Sequence, residues 1–195
     1  MRWLMRAVAA AALFVAAQAQ ALLLTPAGTT CTSDVNRNFG EAEVEAWVLS
    51  CFGRGIDLGL LYKADVNEDG PPFESGPFAP SYRTDFFNSD SDPSDATIAY
   101  VSGLAITCPE CFLVVKDGNQ SPAQYLFDLG RWNGTEALEL RDFWLQQGAI
   151  SNVAIWGGAA VRPAPEPSPA PEPATIALLG LALAFLGFAI RRKTG

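Results

Sequence analysis

A chain of 195 residues with 21 Asp and Glu, four Cys and no His limits its chemistry before any fold is considered. Without imidazole there is no Ser-His-Asp or Cys-His arrangement and no His-ligated zinc. Serine catalysis would need another base, and no Ser-x-x-Lys occurs. Two carboxylates about 5 to 10 Å apart could hydrolyse a glycosidic bond, but among 21 acids some pair meets that distance by chance, so none is selected. Cys108-Pro109-Glu110-Cys111 has the spacing of a redox dithiol. A reactive thiolate there would need a helix N-terminus, whereas the following apolar run reads as a strand, so a structural disulfide is expected. Asp65-Val66-Asn67-Glu68-Asp69-Gly70 places oxygen ligands at positions 1, 3 and 5 of an EF-hand loop and glycine at 6, yet position 12 is Gly76 instead of Glu. That leaves a looser calcium loop at Asp65, Asn67 and Asp69, and a similar one around Asp85, Asp90, Asp92 and Asp95, against ordinary solvated turns, which are preferred. The sequons at Asn119 and Asn133 are read as accidental. No catalytic residue and no cofactor is assigned, and the domain is expected to be non-enzymatic.

The elements that must position these residues begin with export. Arg2 and Arg6 precede an apolar stretch from Ala7 to Ala17 and the small-residue sequence Ala17-Gln18-Ala19-Gln20-Ala21. This is a secretory signal peptide, residues 1–21, with cleavage frames after Ala19 or Ala21. In an oxidising compartment the four cysteines pair off. Three pairings are possible; Cys31 with Cys51 and Cys108 with Cys111 is preferred. Charge divides unevenly along the chain. The exported part holds 8 basic and all 21 acidic residues, a formal −13. Such a surface repels nucleic acid and anionic polymers and attracts divalent cations, and solubility outside the cell is its simplest use.

Residues 22–161 read as one domain. A polar arm from Thr25 to Asn38 leads to Glu41–Phe52, where Val44, Trp47, Val48 and Cys51 fall at helical spacing. Short apolar or alternating runs follow at 58–64, 81–87, 97–102, 112–116, 125–129, 137–140 and 153–156, separated by Gly, Pro, Asn and Asp turns. About seven strands at this spacing predict a mainly β fold, a small antiparallel β-sandwich or jelly-roll-like domain with a short N-terminal helix. An irregular α+β domain with one sheet is the alternative. Trp132, Phe143, Trp144 and Trp156 are expected to pack first and to serve ligands second.

Residues 162–173 form a Pro-rich linker, extended at about 3.1 Å per residue, that ends in Pro171-Glu172-Pro173. Residues 174–195 follow: Ala174 to Ile190 carry no charge, and Arg191, Arg192 and Lys193 close the run. As a helix the apolar segment spans roughly 26 Å, against a hydrocarbon core of about 30 Å, so a single C-terminal transmembrane helix with its basic end in the cytoplasm is expected.

Tripeptide, apolar run and basic cluster in this order at the chain end resemble the PEP-CTERM sorting signal of Gram-negative exported proteins. The resemblance implies an exosortase-type membrane processing enzyme as partner, sorting toward the cell surface, and association with extracellular polysaccharide. It places an inner-membrane-anchored precursor before the surface or matrix form. In the body, Tyr125-Leu126-Phe127-Asp128-Leu129-Gly130, Trp132-Asn133-Gly134-Thr135 and the run from Gly148 to Gly158 resemble exported β-rich domains that carry this signal, and supply no catalytic motif. The expected function is a non-catalytic surface or matrix protein that binds or organises polysaccharide. A carboxylate-dependent polysaccharide hydrolase and a stably membrane-anchored envelope protein are the alternatives.

Overall fold

Two β-sheets share one apolar core in the computed structural model, which describes residues 21–89, 91–117, 119–145 and 148–158. The chain divides into two units, Met1–Arg162 and Pro163–Gly195, and every described residue lies in the first. In chain order the elements are β1 (Ala21–Leu24), β2 (Thr32–Ser33), α1 (Glu41–Phe52), β3 (Leu58–Asp65), β4 (Phe73–Ser75), β5 (Tyr82–Phe87), β6 (Asp95–Tyr100), β7 (Cys111–Lys116), β8 (Gln124–Asp128), β9 (Ala137–Leu140) and β10 (Asn152–Gly158). One sheet has the order β1-β9-β6-β5, the other β2-β8-β7-β10-β3-β4.

All but one of the strand pairs are antiparallel; β1 runs parallel to β9, with Ala21 opposite Ala137 and Leu24 opposite Leu140. The expected antiparallel β-sandwich or jelly roll is therefore corrected to a mixed parallel and antiparallel β domain with one short helix. A parallel pair needs a long crossover rather than a hairpin, and here nearly the whole domain intervenes between the two strands. Ala21-Leu22-Leu23-Leu24 follows directly on the apolar N-terminal run in the sequence, so it reads as the end of the expected targeting segment instead of an edge strand. The signal-peptide boundary drawn at residue 21 falls on the first residue of β1.

The transmembrane expectation is corrected as well. Among the described residues no helix is long and apolar enough to cross a membrane. The segment 174–195, the Pro-rich linker 162–173 and the first 20 residues lie outside the described residues. The single transmembrane helix and the inner-membrane-anchored precursor built on it are accordingly set aside.

The six-stranded sheet is covered on both faces, which is why β7 is buried at all six of its positions. Leu113, Val115, Tyr125, Phe127, Val153 and Ile155 face the core shared with Ile98, Leu138 and Leu140 of the other sheet. The alternate residues Phe112, Val114, Leu126, Ala154 and Trp156 pack under α1 with Val44 and Val48, as the period of two in strands demands. Helix α1 starts where the Glu43 carboxylate accepts the Gly40 N–H at 2.7 Å. It stops at Gly53, whose φ of 66° admits the left-handed turn and whose N–H donates to Leu49 O at 2.9 Å. Val44 and Val48, one turn apart and fully buried, contribute about 2 kcal/mol each through apolar burial. Glu45 accepts the Leu58 N–H at 2.9 Å and ties the helix to the start of β3.

β3 changes face midway. The register against β10 shifts between Ile155 and Trp156, leaving Leu61 as the additional residue of a β-bulge. Leu58 and Leu60 therefore lie under the helix while Leu61, Tyr62 and Ala64 enter the shared core. Tyr62 and Tyr82 carry hydroxyls into that core. The Tyr62 hydroxyl donates to Glu74 at 2.9 Å and shares a 2.7 Å hydrogen bond with Thr84. The Tyr82 hydroxyl donates to Gly134 O and accepts the Ile106 N–H, both at 2.7 Å.

Burial pushes the Tyr82 phenol up to about 12, and burial, reinforced by Glu74, raises Tyr62 further. A phenol whose folded pKa lies above its unfolded value of about 10 supports the fold fully below that pH and loses this support as pH rises through the folded pKa. Stability is thus expected to be independent of these groups below about pH 10 and to fall by roughly 3 kcal/mol per phenol at higher pH. Denaturant midpoints should fall above about pH 10 as the Tyr62 and Tyr82 phenolates, read by their loss from absorbance in Tyr62→Phe and Tyr82→Phe, appear with unfolding; either phenolate forming in the intact fold at the ordinary pKa would refute the burial account.

Candidate functional site

The residues singled out for calcium do not converge. Asp65 ends β3 and pairs with Lys63 along the same strand. Asn67 donates its amide to Pro71 O at 3.1 Å and accepts the Asp69 N–H at 3.3 Å, an Asx turn that orders the loop by itself. Asp95 accepts the Asp142 N–H at 2.9 Å, Asp92 accepts from Ser91 at 3.4 Å, and Asp90 lies outside the described residues. Among the described residues no group of three or more His, Cys, Asp or Glu gathers as a metal site. Cys31 pairs with Cys51 and Cys108 with Cys111. Cys111 is fully buried at the start of β7, so this Cys-x-x-Cys closes the entry to a strand instead of opening a helix. The sorting residues Pro171, Glu172, Pro173, Arg191, Arg192 and Lys193 lie outside the described residues.

Two clefts open beside the 66–70 loop. One, of about 360 Å³, is lined by Asn67, Glu68, Asp85, Phe86 and Ser89. The other, of about 450 Å³, is lined by Glu68, Asp92, Asn119, Gln120 and Ser151. Both share Val66 and Glu68, so polar side chains continue from one to the other. Carboxylates, amides and hydroxyls of this kind accept and donate hydrogen bonds to hydroxyl-rich ligands. Asp117, at the second cleft, is committed to the fold: its carboxylate accepts the Asn119 N–H at 2.6 Å and the Ala149 N–H at 2.8 Å.

A third cavity, of about 140 Å³, lies between α1 and the six-stranded sheet. Its walls include Phe39, Val44, Leu60 and Val114, and its polar edge is formed by Lys63, Lys116, Gln124, Asn152 and Trp156. The strand order β7-β10-β3 brings these together: Lys116 stands opposite Asn152, and Lys63 opposite Ala154. Gln124 donates to Val35 O at 2.6 Å and Arg37 O at 3.1 Å, and Asn152 donates to Asn38 at 3.2 Å, so both amides pin the N-terminal arm over the cavity. Lys116 is only 7% exposed. Its ammonium donates to Asp117 O at 3.1 Å. Burial pushes its pKa down; Asp117 opposes the shift and Lys63 adds to it. Trp156 is 6% exposed, and its indole N–H is buried with no acceptor among the described residues.

Sequence reasoning missed this cavity; it read Trp156 as a packing aromatic, and Trp156 does pack in the buried cluster under α1. One signal was available. Lys63 and Lys116 are the only lysines among the described residues, and Lys116 closes a strand that is otherwise apolar throughout, an expensive place for a charge.

Comparison with known protein families gives a match at the chain's C-terminal end. The PEP-CTERM protein-sorting motif matches residues 169–193, which contain the Pro-Glu-Pro tripeptide, the apolar run and the basic cluster. The motif implies, in general terms, processing by an exosortase-family enzyme. No curated protein and no solved structure matches the chain. The chain is an exported, PEP-CTERM-tagged protein whose described part is a β-rich domain closed by two disulfides.

Proposed function

We propose that this is a non-catalytic protein of the cell surface or extracellular matrix whose β-rich domain binds or organises extracellular polysaccharide. The observation that carries the reading is the pair of polar clefts sharing Val66 and Glu68, about 360 and 450 Å³. Their acceptors and donors suit sugar hydroxyls, and neighbouring units of a polymer could occupy both. The sorting motif supports the route to the compartment where such a polymer lies. Phe73 and Phe87, 65% and 43% exposed, supply apolar faces of the kind on which sugar rings rest.

The test is retention of the full chain on the organism's own polysaccharide, with and without calcium. Retention is expected, and Glu68→Gln combined with Asp85→Asn is expected to weaken it at least about tenfold, the loss of two hydrogen bonds to charged acceptors. Phe73→Ser should weaken it independently. No retention under either condition sinks the reading. Release of sugar fragments by the wild-type protein, abolished in the carboxylate variants, would replace it with the hydrolase. Intact mass of the exported product locates both termini: cleavage after Ala19 keeps β1 whole, whereas cleavage after Ala21 removes the residue paired with Ala137.

A further inference from the structure

We propose that the polymer held by the two polar clefts carries free amino groups, so that the domain selects a polysaccharide with cationic amino-sugar units. This ligand class rests on the polysaccharide reading and narrows it. Three observations converge on it. The first is the sign of the charge. Glu68 stands at the junction of both clefts, Asp85 lines one and Asp92 the other, and no Lys or Arg lines either. In an exported part of formal charge −13, such a groove repels a uronic or otherwise anionic polymer and draws a cationic one.

The second observation is that these carboxylates are unspent. Among the described residues Glu68 and Asp85 accept no hydrogen bond and form no ion pair, and Asp92 accepts only the Ser91 hydroxyl, at 3.4 Å. Arg37, Arg54, Lys63 and Arg141 are held elsewhere by Glu43, Asp128, Asp65 and Glu139, and Arg83, two residues from Asp85 along β5, forms no ion pair with it. A ligand that covers a carboxylate strips water from it, which costs free energy unless opposite charge replaces that water. A neutral sugar brings hydroxyl donors alone, whereas an ammonium brings donors and the charge together.

The third observation is how the charges are spread. Asp85 and Asp92 belong to separate clefts with Glu68 between them, and among the described residues no group of three or more His, Cys, Asp or Glu gathers as a metal site. One divalent ion does not neutralise all three, but a polymer with amines on successive units meets them one at a time. The rest of the lining suits a sugar better than a basic peptide. Asn119 and Gln120 line the second cleft with side-chain amides that make no hydrogen bond among the described residues, ready for ring hydroxyls, and Pro72 and Phe86 give the first cleft apolar surface for a ring face.

The experiment is calorimetry of the full chain with the glucosamine trimer and with its N-acetylated counterpart, at moderate salt and at a pH where the sugar amine is protonated and ordinary carboxylates, with pKa values of about 4, are ionised. The amine trimer is expected to bind at least about tenfold more tightly than the acetylated one, a comparison that needs no variant. Glu68→Gln combined with Asp85→Asn is expected to remove that preference. Asp57→Asn combined with Glu110→Gln takes away the same charge from exposed residues that line neither cleft and should change the affinity no more than about twofold, as for screened distant charges. Equal binding of the two trimers, or an equal loss in both double variants, overturns the proposal. Trilysine bound as tightly as the amine trimer also overturns it, in favour of a basic peptide. Retention on the organism's own polymer without any preference for the amine trimer leaves the polysaccharide reading standing alone. Preference for the amine trimer without such retention upholds the amine specificity and sinks the assignment to that polymer, so the two fail separately.

Discussion

Gly134→Ala is expected to remove a large part of the stability of the fold, although only one methyl group is added. Gly134 has a φ of 80°, and a Cβ built there stands 1.9 Å from Ile106 O and 3.0 Å from Ile106 C. The obstacle is backbone, so no rotamer change relieves it. The backbone at 106 and 134 is also locked through one side chain: the Tyr82 hydroxyl accepts the Ile106 N–H and donates to Gly134 O, both at 2.7 Å. On the far side of the turn, Asn133 accepts the N–H groups of Thr135 and Glu136 at 2.9 and 2.7 Å, and the Trp132 indole donates to Glu136 O at 2.6 Å. Moving 134 away from 106 breaks the Tyr82 bridge and strands two buried backbone groups, at about 1 to 3 kcal/mol each. The left-handed conformation adds about 1 to 2 kcal/mol for a residue with a Cβ. The sum, about 3 to 8 kcal/mol, is a large part of the 5 to 15 kcal/mol that holds typical domains together. Gly53→Ala is the matched control. Its φ of 66° is similar, but a Cβ there meets nothing within 4 Å, so it should lose only the conformational share, about 1 kcal/mol. Denaturant midpoints of the two variants decide the matter, and equal losses would show that contact with Ile106 plays no part.

The sequence made long-period features legible and hid what depends on meetings across the sheets. The helix at Glu41–Phe52 was readable because Val44 and Val48 repeat at one turn and Gly53 stops the chain. The longer strands were readable because Gly, Pro and Asn-Gly turns bound them. β1 was not, since three leucines after an apolar N-terminal run carry no signal of a parallel partner at Ala137–Leu140. β2 has two residues and β4 three, the latter just after Pro71-Pro72, too short for any period to register. The bulge at Leu61 cannot be read from Leu58–Asp65 alone, because it exists only against β10. The candidate sites divide in the same way. The acidic loop at 65–70 drew attention as a calcium motif because its ligands are contiguous, yet Asn67 and Lys63 occupy it locally. The cavity under α1 draws Lys63, Lys116 and Trp156 from three strands that become neighbours only through the order β7-β10-β3. What the sequence did contain was the oddity of a lysine ending an apolar strand, and only the strand order says where that lysine goes.

Replacing Cys31 and Cys51 together by Ala is expected to lower stability by about 3 kcal/mol, the loop-closure entropy of a cross-link over roughly 20 residues, and Tm by roughly 10 °C. The two cysteines are 20 residues apart in sequence. Between them runs the arm that pairs Thr32 and Ser33 with β8 and then lays Asn38 and Phe39 over the cavity. Without the disulfide, the arm is held at its start by that two-residue pairing and farther along by the amides of Gln124 and Asn152. Short pairings of this kind open locally at low cost, so the loss should fall on the cavity before it reaches the core between the sheets. Hydrogen exchange separates the two levels: the Trp156 indole and the Gln124 amide should exchange faster in the variant well below its melting temperature, while Ile98 and Val115, fully buried in the shared core, keep their protection. The Cys108–Cys111 bond, over only 3 residues, closes a far shorter loop, so its removal should cost less, on the order of 2 kcal/mol, without touching the arm. Uniform loss of protection across both sheets in the Cys31 and Cys51 variant would mean that the arm is part of the central fold, whereas loss confined to the α1 face would make this disulfide the clasp of the arm.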